Sequence, residues 1–204
     1  MAYTKKKPGE RGLNLRKWHA LPWKRSRYKG RAILQTPVDL WLMTELVEQT
    51  SPTLFVEVGV NEGGFSAWLL DLFSGLATST RLLGIDHRDL WQHHHNAKPI
   101  FSRSMRFEKL DALDPMIPAE IERLRGDGVV IVFLDDDHSP DHVAAELDHY
   151  SGVLHPGDQL IVADSTTVRG LNRVCLDFVG SSHFAHKNRD RFGLSNHFWM
   201  ECEI

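Results

Sequence analysis

The chain has 204 residues, of which 42% are hydrophobic, and this length predicts one domain with a substantial core. No run of eighteen apolar residues occurs and no apolar stretch follows the basic N-terminus, so we expect neither a transmembrane helix nor a secretory signal, and a cytoplasmic protein. The two cysteines, Cys175 and Cys202, lack a metal-binding spacing and are predicted to be free thiols.

Charge is distributed unevenly along the chain. Residues 1–31 hold eleven Lys/Arg and one acid, whereas the remainder holds thirteen basic and 26 acidic residues. We therefore expect a basic arm over residues 1–30 and a folded domain over 31–204. Such an arm, with its interleaved aromatics, could contact nucleic acid, an anionic glycan or a membrane surface. The favoured alternative is that it folds back on the acidic body or on a neighbouring subunit of a homo-oligomer.

Helix and strand signals alternate through the domain. Thr36 as cap, Pro37 and Asp39 predict a helix that ends near Thr50. After it the pattern predicts, in chain order, a strand (54–58), a helix (63–73), strands (81–85 and 105–108), a helix (117–124), a strand (129–134), a helix from Ser139, a strand (159–163), a helix (171–178) and late strands (183–186 and 197–201). The fold class is therefore α/β, with a mostly parallel twisted sheet covered by helices on both faces.

Acidic side chains follow every early strand of this predicted sheet. Right-handed crossovers bring the carboxyl ends of parallel strands to one edge, where ligands bind in open α/β sheets. Any one acid can be explained as a helix cap, but so many like charges repel one another and call for a cation. A metal ion or a cationic cofactor is thus expected beside these residues: Glu57, Asp86, Asp111, Asp135, Asp136, Asp137 and Asp164.

The turn after the first of these strands, residues 59–64, resembles a dinucleotide-binding fingerprint. Asn61 replaces the middle glycine, which normally lets a pyrophosphate approach the backbone. Glu57 and Glu62 flank the turn and would repel a phosphate. The turn therefore argues against NAD and favours a positively charged ligand such as a sulfonium, with Asp86 placed to accept ribose hydroxyls.

The sharpest cluster is Asp135-Asp136-Asp137-His138. Carboxylate oxygens select Mg²⁺ or Ca²⁺, and Asp164 after the next strand could complete such a site. A metal there would orient and acidify a substrate hydroxyl, with His138 as the base. Ser139 is instead expected to cap the next helix, whereas capping does not explain all three aspartates. The run His93-His94-His95 is interpreted as a solvated loop rather than a metal site.

Taken in order, these motifs resemble the cephalosporin hydroxylase family, the CmcI-like class I methyltransferases, from about Tyr28 to the C-terminus. The residues that carry the resemblance are Tyr28-Lys29-Gly30, the helix start at residues 37–41, Glu57-Val58-Gly59 with Gly63-Gly64, Gly84-Ile85-Asp86, residues 134–139, His142-Val143, Glu146-Leu147, Pro156-Gly157-Asp158 and residues 160–164. The resemblance implies a Rossmann-like fold and O-methyl transfer from S-adenosylmethionine, with a Mg²⁺ site.

The resemblance also implies roles for single residues. It assigns the cofactor to Glu57, Gly59, Gly63 and Asp86, and the same sheet edge adds Asn61, His87, Asp111 and Asp135. Metal contacts fall on Asp135, Asp136 and Asp164, and His138 and Asp136 are the expected catalytic residues. One departure is Ala163, because the family often has an acid there, so a metal ligand is missing.

The leading hypothesis is therefore an O-methyltransferase that acts on a hydroxyl of a small molecule or glycan. One alternative is a nucleic-acid methyltransferase that docks through the basic arm, although no target-base motif such as Asn-Pro-Pro-Tyr occurs. Another is a non-catalytic protein that binds the cofactor. An oxygenase, which the family's name implies, lacks the spacing of an iron-binding triad of two histidines and a carboxylate.

Overall fold

The structure is a computed structural model that describes residues 25–93, 105–187 and 195–203. It opens with a hairpin, β1 (Arg27–Tyr28) and β2 (Arg31–Ala32). The elements that follow are α1 (Pro37–Thr50), β3 (Leu54–Val58), α2 (Gly64–Gly75), β4 (Arg81–Ile85), β5 (Met105–Glu108), α3 (Ile117–Arg125), β6 (Val130–Leu134), α4 (Pro140–Ser151), β7 (Gln159–Val162), α5 (Leu171–Ser181), β8 (Phe184–His186) and β9 (Phe198–Cys202).

Seven strands form one sheet in the order β5-β4-β3-β6-β7-β9-β8. The first five pair in parallel, as predicted, and β9 pairs antiparallel with both β7 and β8. The chain runs outward from β3 through β4 to β5, and then returns to place β6 on the other side of β3. The point where the strand order reverses therefore lies between β3 and β6, which is where open α/β sheets bind ligands.

Two apolar clusters cover the faces of the sheet, as a sheet buried on both sides requires. One face packs against α1 and α2, through residues that include Leu46, Phe65 and Phe133. The other packs against α3, α4 and α5, through residues that include Ile121 and Leu147. All five residues of β3 and of β6 are buried, which explains why both strands read as continuous apolar runs apart from Glu57.

The predicted N-terminal cap is present at α1, but the start of α4 is stabilised differently from the prediction. Thr36 caps α1 by accepting a hydrogen bond from the backbone N–H of Asp39 at 3.2 Å. Ser139 occupies the cap position of α4, but its side chain makes no capping hydrogen bond. The carboxylate of Asp137 instead accepts from the backbone N–H of Ser139 at 2.9 Å, so this exposed aspartate organises the turn.

The described end of the basic arm lies against the acidic body. The Tyr28 hydroxyl donates to Asp71 at 2.5 Å, Lys29 donates to Asp71 at 2.8 Å, and Arg27 pairs with Glu62 at 2.8 Å. These contacts agree with the expectation that the arm folds back. The predicted boundary after residue 30 falls in the hairpin turn. Most of the arm (residues 1–24) lies outside the described residues, and so does the segment 94–104, which contains His94 and His95.

No helix among the described residues is long and apolar enough to cross a bilayer. Both cysteines are buried free thiols, as expected.

Candidate functional site

A cavity of about 470 Å³ opens at the carboxyl ends of the strands, beside the reversal point. This volume falls within the range of about 300–1,000 Å³ that is typical of small-molecule sites. The hairpin end closes one side of the cavity and the turns after β3, β4, β6 and β7 form the rest. Its lining comprises Ala32, Ile33, Leu34, Glu57, Gly59, Val60, Asn61, Phe65, Asp86, His87, Arg88, Asp135, Asp136, Asp137, His138 and Asp164.

The glycine turn after β3 needs its special backbone. Gly59 has φ +93°, and a Cβ there would lie 2.3 Å from the backbone oxygen of Asp135. Asn61 also has a positive φ, of 51°, a conformation that asparagine adopts more readily than most residues. The turn is therefore pressed directly against the turn after β6, so the two halves of the cavity share a backbone contact.

Asp86 ties the glycine turn to the turn after β4. It is 7% exposed, and its two carboxylate oxygens accept from the backbone N–H groups of Asn61 and Arg88, each at 2.8 Å. The ring of His87 lies 3.5 Å from the same carboxylate. The structure thus fixes the Asp86 carboxylate at the cavity edge, and its predicted role as acceptor for ribose hydroxyls stays a prediction.

Glu57 lies beneath the glycine turn and is 1% exposed. The hydroxyl of Ser66, in the first turn of α2, donates to it. Burial raises the pKa of Glu57 well above its usual range, and the neighbouring charges of Asp135 and Asp86 raise it further. A cation in the cavity would oppose this shift and favour the carboxylate form.

Glu62 does not share this role. Its carboxylate accepts from the backbone N–H of Ala32 at 3.0 Å and pairs with Arg27, and it does not line the cavity. The expectation that Glu62 would repel a phosphate at the turn is therefore wrong. The hairpin neutralises this acid, and the negative charge near the turn comes from Glu57 and Asp86.

Asp135 and His138 form a pair at the wall formed by the turn after β6. The Nε2 atom of His138 lies 3.3 Å from Asp135. Burial raises the pKa of Asp135, and the hydrogen bond to Asp135 raises the pKa of His138. The raised pKa favours the protonated form of His138, so the ring must first lose that proton before it can accept one from a hydroxyl.

A series of hydrogen bonds that the sequence did not reveal ends at the carboxylate of Asp135. The backbone N–H of Asp164 donates to Nδ1 of His197 at 3.3 Å, and Nε2 of His197 lies 2.9 Å from the Gln35 side-chain oxygen. The amide nitrogen of Gln35 then donates to Asp135 at 2.8 Å. Gln35 is 4% and His197 5% exposed. The β7–β9 pairing places Asp164 beside His197, whereas Gln35 precedes α1 and Asp135 follows β6. Because these residues are far apart in the sequence, no local pattern could have identified them.

Asp136 lines the cavity and also faces α4. Its carboxylate lies 3.3 Å from Nε2 of His142, which is 3.9 Å from Glu146. Among the described residues these three form the group whose ligand atoms all lie within 4.8 Å of one another. Burial, with the charge of Asp136, raises the pKa of Glu146 to about 10. The spacing His142-x-x-x-Glu146 on a helix was the signal available for this pair.

The structure gathers most of the predicted site residues around the cavity. Gly63 instead caps α2 from outside the lining, with φ 75°. Asp111 lies in an exposed turn, where it accepts from the backbone N–H of Leu113 at 3.0 Å. The proposed ligands Asp135, Asp136 and Asp164 all line the cavity, and their joint role in metal binding stays a prediction.

The sheet order and the cavity at its reversal point define the Rossmann-like fold of class I methyltransferases, which the chain shares with a solved apo structure of CmcI (TM-score 0.69, 18% identity, 100% of this chain and 89% of that one). The chain belongs to the Rhamnosyl O-methyltransferase/CmcI family, whose model matches residues 21–182.

Two further relatives place the chain in more detail. The rhamnosyl O-methyltransferase of Mycobacterium bovis (strain BCG / Pasteur 1173P2) is 28% identical over 155 residues, which cover 73% of this chain and 61% of that protein. The chain thus spans about three fifths of the length of the curated relatives it matches. A solved structure described as cmcI-D160 Mg-SAM superposes with a TM-score of 0.67 at 18% identity, covering 98% of this chain and 88% of that one.

Proposed function

We propose that this chain transfers a methyl group from S-adenosylmethionine to a hydroxyl of a sugar or small molecule. The observation that carries the proposal is that one cavity joins Glu57 and Asp86 on its cofactor side to Asp135 and His138 on the other. The names of its relatives, rhamnosyl O-methyltransferase and the Mg-SAM form of CmcI, support this chemistry. A rhamnosyl hydroxyl is accordingly the first acceptor to try.

The residues suggest how the reaction would proceed. Glu57 and Asp86 would hold the cofactor in the same cavity as the wall formed by the turn after β6. When bound, the cofactor would supply a methyl group whose carbon–sulfur bond breaks as the acceptor oxygen bonds to the carbon, with the electron pair left on sulfur. His138 would take the proton of the acceptor hydroxyl. Holding nucleophile, carbon and sulfur in line supplies much of the rate.

The same rim suits a divalent cation. Oδ1 of Asp136 is buried without a hydrogen-bond partner among the described residues, which is a fit for a cation rather than for another acceptor. Asp135, Asp136 and Asp164 would hold Mg²⁺, with water in the place of the acid that Ala163 lacks. When bound, the ion lowers the pKa of the acceptor hydroxyl.

Calorimetric titration of the full chain with S-adenosylmethionine tests the binding step. We expect wild-type protein to bind, and Asp86→Asn to bind at least about tenfold more weakly because the hydroxyl acceptor loses its charge. Asp148→Asn, the same change on the exposed face of α4, should bind like wild type. If folded wild-type protein shows no binding of S-adenosylmethionine at high micromolar concentration, the proposal is ruled out.

Release of S-adenosylhomocysteine with a panel of rhamnosides and phenols then tests transfer. We expect turnover with at least one sugar hydroxyl and a loss of about 10²–10⁴-fold in His138→Ala, as for a general base. Binding without turnover across the whole panel would favour the non-catalytic alternative.

A further inference from the structure

The cluster of Asp136, His142 and Glu146 lies behind the cavity, where α4 meets the turn after β6. His142 and Glu146 are one turn apart and so share a face of the helix. Glu146 is 0% exposed, while the side chains of Asp136 and His142 are about one-fifth exposed. Asp136 alone among the three also lines the cavity.

Glu146 has no satisfied environment in this cluster. Neither of its carboxylate oxygens has a hydrogen-bond partner among the described residues, although the Asp136 carboxylate and the His142 imidazole lie within 4.8 Å of it. A buried carboxyl group left unpaired is costly. Either a proton shared with Asp136 or a bound cation would remove that cost. The nearby imidazole of His142 favours the cation, because imidazole nitrogen is a common metal ligand.

We propose that Asp136, His142 and Glu146 bind a divalent transition-metal ion of the Zn²⁺ or Mn²⁺ class, at a second site beside the Mg²⁺ expected at the cavity rim, with the Asp136 carboxylate shared between the two. The nitrogen of His142 lies 3.3 Å from Asp136 and 3.9 Å from Glu146. Ligands about 2.0–2.2 Å from a tetrahedral zinc ion lie about 3.3 Å apart. The three ligand atoms here lie within 4.8 Å of one another, so they must draw together to coordinate one ion. An imidazole with two carboxylates favours such an ion over Mg²⁺.

The inference does not rest on methyl transfer. The ion would fix Asp136 to α4, and so would shape the cavity wall whether or not the reaction takes place. Cofactor titrations in the presence of a chelator report on the proposed function, and metal titrations of the cofactor-free protein report on this site, so each hypothesis can fail alone.

The test is calorimetric titration of the chelator-treated full chain with Zn²⁺, together with thermal unfolding. We expect one equivalent to bind tightly and to raise the unfolding temperature, since a ligand of the folded state stabilises it. Glu146→Gln, which keeps the side chain's shape, and His142→Ala should each weaken binding by at least about tenfold. His155→Ala, which removes an exposed imidazole paired with Glu122, should bind as wild type does.

Two further arms decide the other outcomes. A variant with His93, His94 and His95 changed to Ala should retain the site, and loss of binding there would show that zinc sits on those histidines instead. If Glu146→Gln fails to fold, the visible spectrum of the Co²⁺-loaded wild type against His142→Ala still reports imidazole ligation. Absence of stoichiometric binding, or wild-type affinity in Glu146→Gln, overturns the proposal and leaves a shared proton as the arrangement.

Discussion

Single hydrogen bonds at this site determine the protonation of a buried ring. Because the backbone N–H of Asp164 donates to Nδ1 of His197, Nδ1 carries no hydrogen. The ring proton is therefore on Nε2, which donates to the side-chain oxygen of Gln35. The donating amide of Gln35 is then left for Asp135. One tautomer thus sets the direction of the whole chain of hydrogen bonds.

We expect ¹H–¹⁵N correlation spectra of the imidazoles to show His197 with its proton on Nε2. Gln35→Ala should leave this tautomer in place, since Asp164 still donates to Nδ1, while it frees the carboxylate of Asp135. Methyl transfer in that variant should lose turnover with little change in cofactor affinity, because Gln35 positions Asp135 without touching the ligand. A proton on Nδ1 in the wild type would contradict the arrangement.

At the scale of elements, the turns after β3 and β6 depend on each other through Gly59. We expect Gly59→Ala to lower the free energy of unfolding by at least about 1–2 kcal/mol, because its positive φ and the contact with Asp135 both exclude a side chain. Chemical denaturation measures the loss. Gly75→Ala is the matched control, since a methyl group there meets nothing within 4 Å and should be neutral or stabilising.

The elements themselves were largely predictable, because hydrophobic period and caps are local signals. The helix from Pro37 to Thr50 and the strand from Leu54 to Val58 appear with the predicted bounds. Pairing was harder to foresee: nothing in residues 197–201 indicates that β9 runs antiparallel between β7 and β8. Glu62 shows the same limit within the site, since its partner Arg27 is 35 residues away.

At the scale of the whole molecule, the hairpin joins the basic end of the chain to the acidic body. The hydrogen bond from Tyr28 to Asp71, with burial and the charge of Asp71, raises the Tyr28 pKa to about 12. An unfolded tyrosine ionises near pH 10. The contact therefore contributes fully below pH 10, and its contribution is lost as the pH rises toward 12.

Replacing Asp71 by Asn should return the Tyr28 pKa toward 10, because the charged acceptor is gone. Tyrosinate absorbance during an alkaline titration detects the change, and a Tyr28→Phe variant identifies the transition that belongs to this residue. The exposed pair between Arg173 and Asp177 provides the control, since Asp177→Asn should leave the titration unchanged. An Asp71→Asn curve identical to wild type would show that the hairpin is not held this way.

The place of β9 has a consequence for how the protein is made. This strand follows β8 along the chain, yet in the sheet it separates β7 from β8. During synthesis both β7 and β8 leave the ribosome before β9, so the edge of β7 that β9 covers stays open until residue 202 emerges. A nascent chain stalled shortly before that point would expose a sticky edge, and we expect it to need chaperone protection that the finished protein does not.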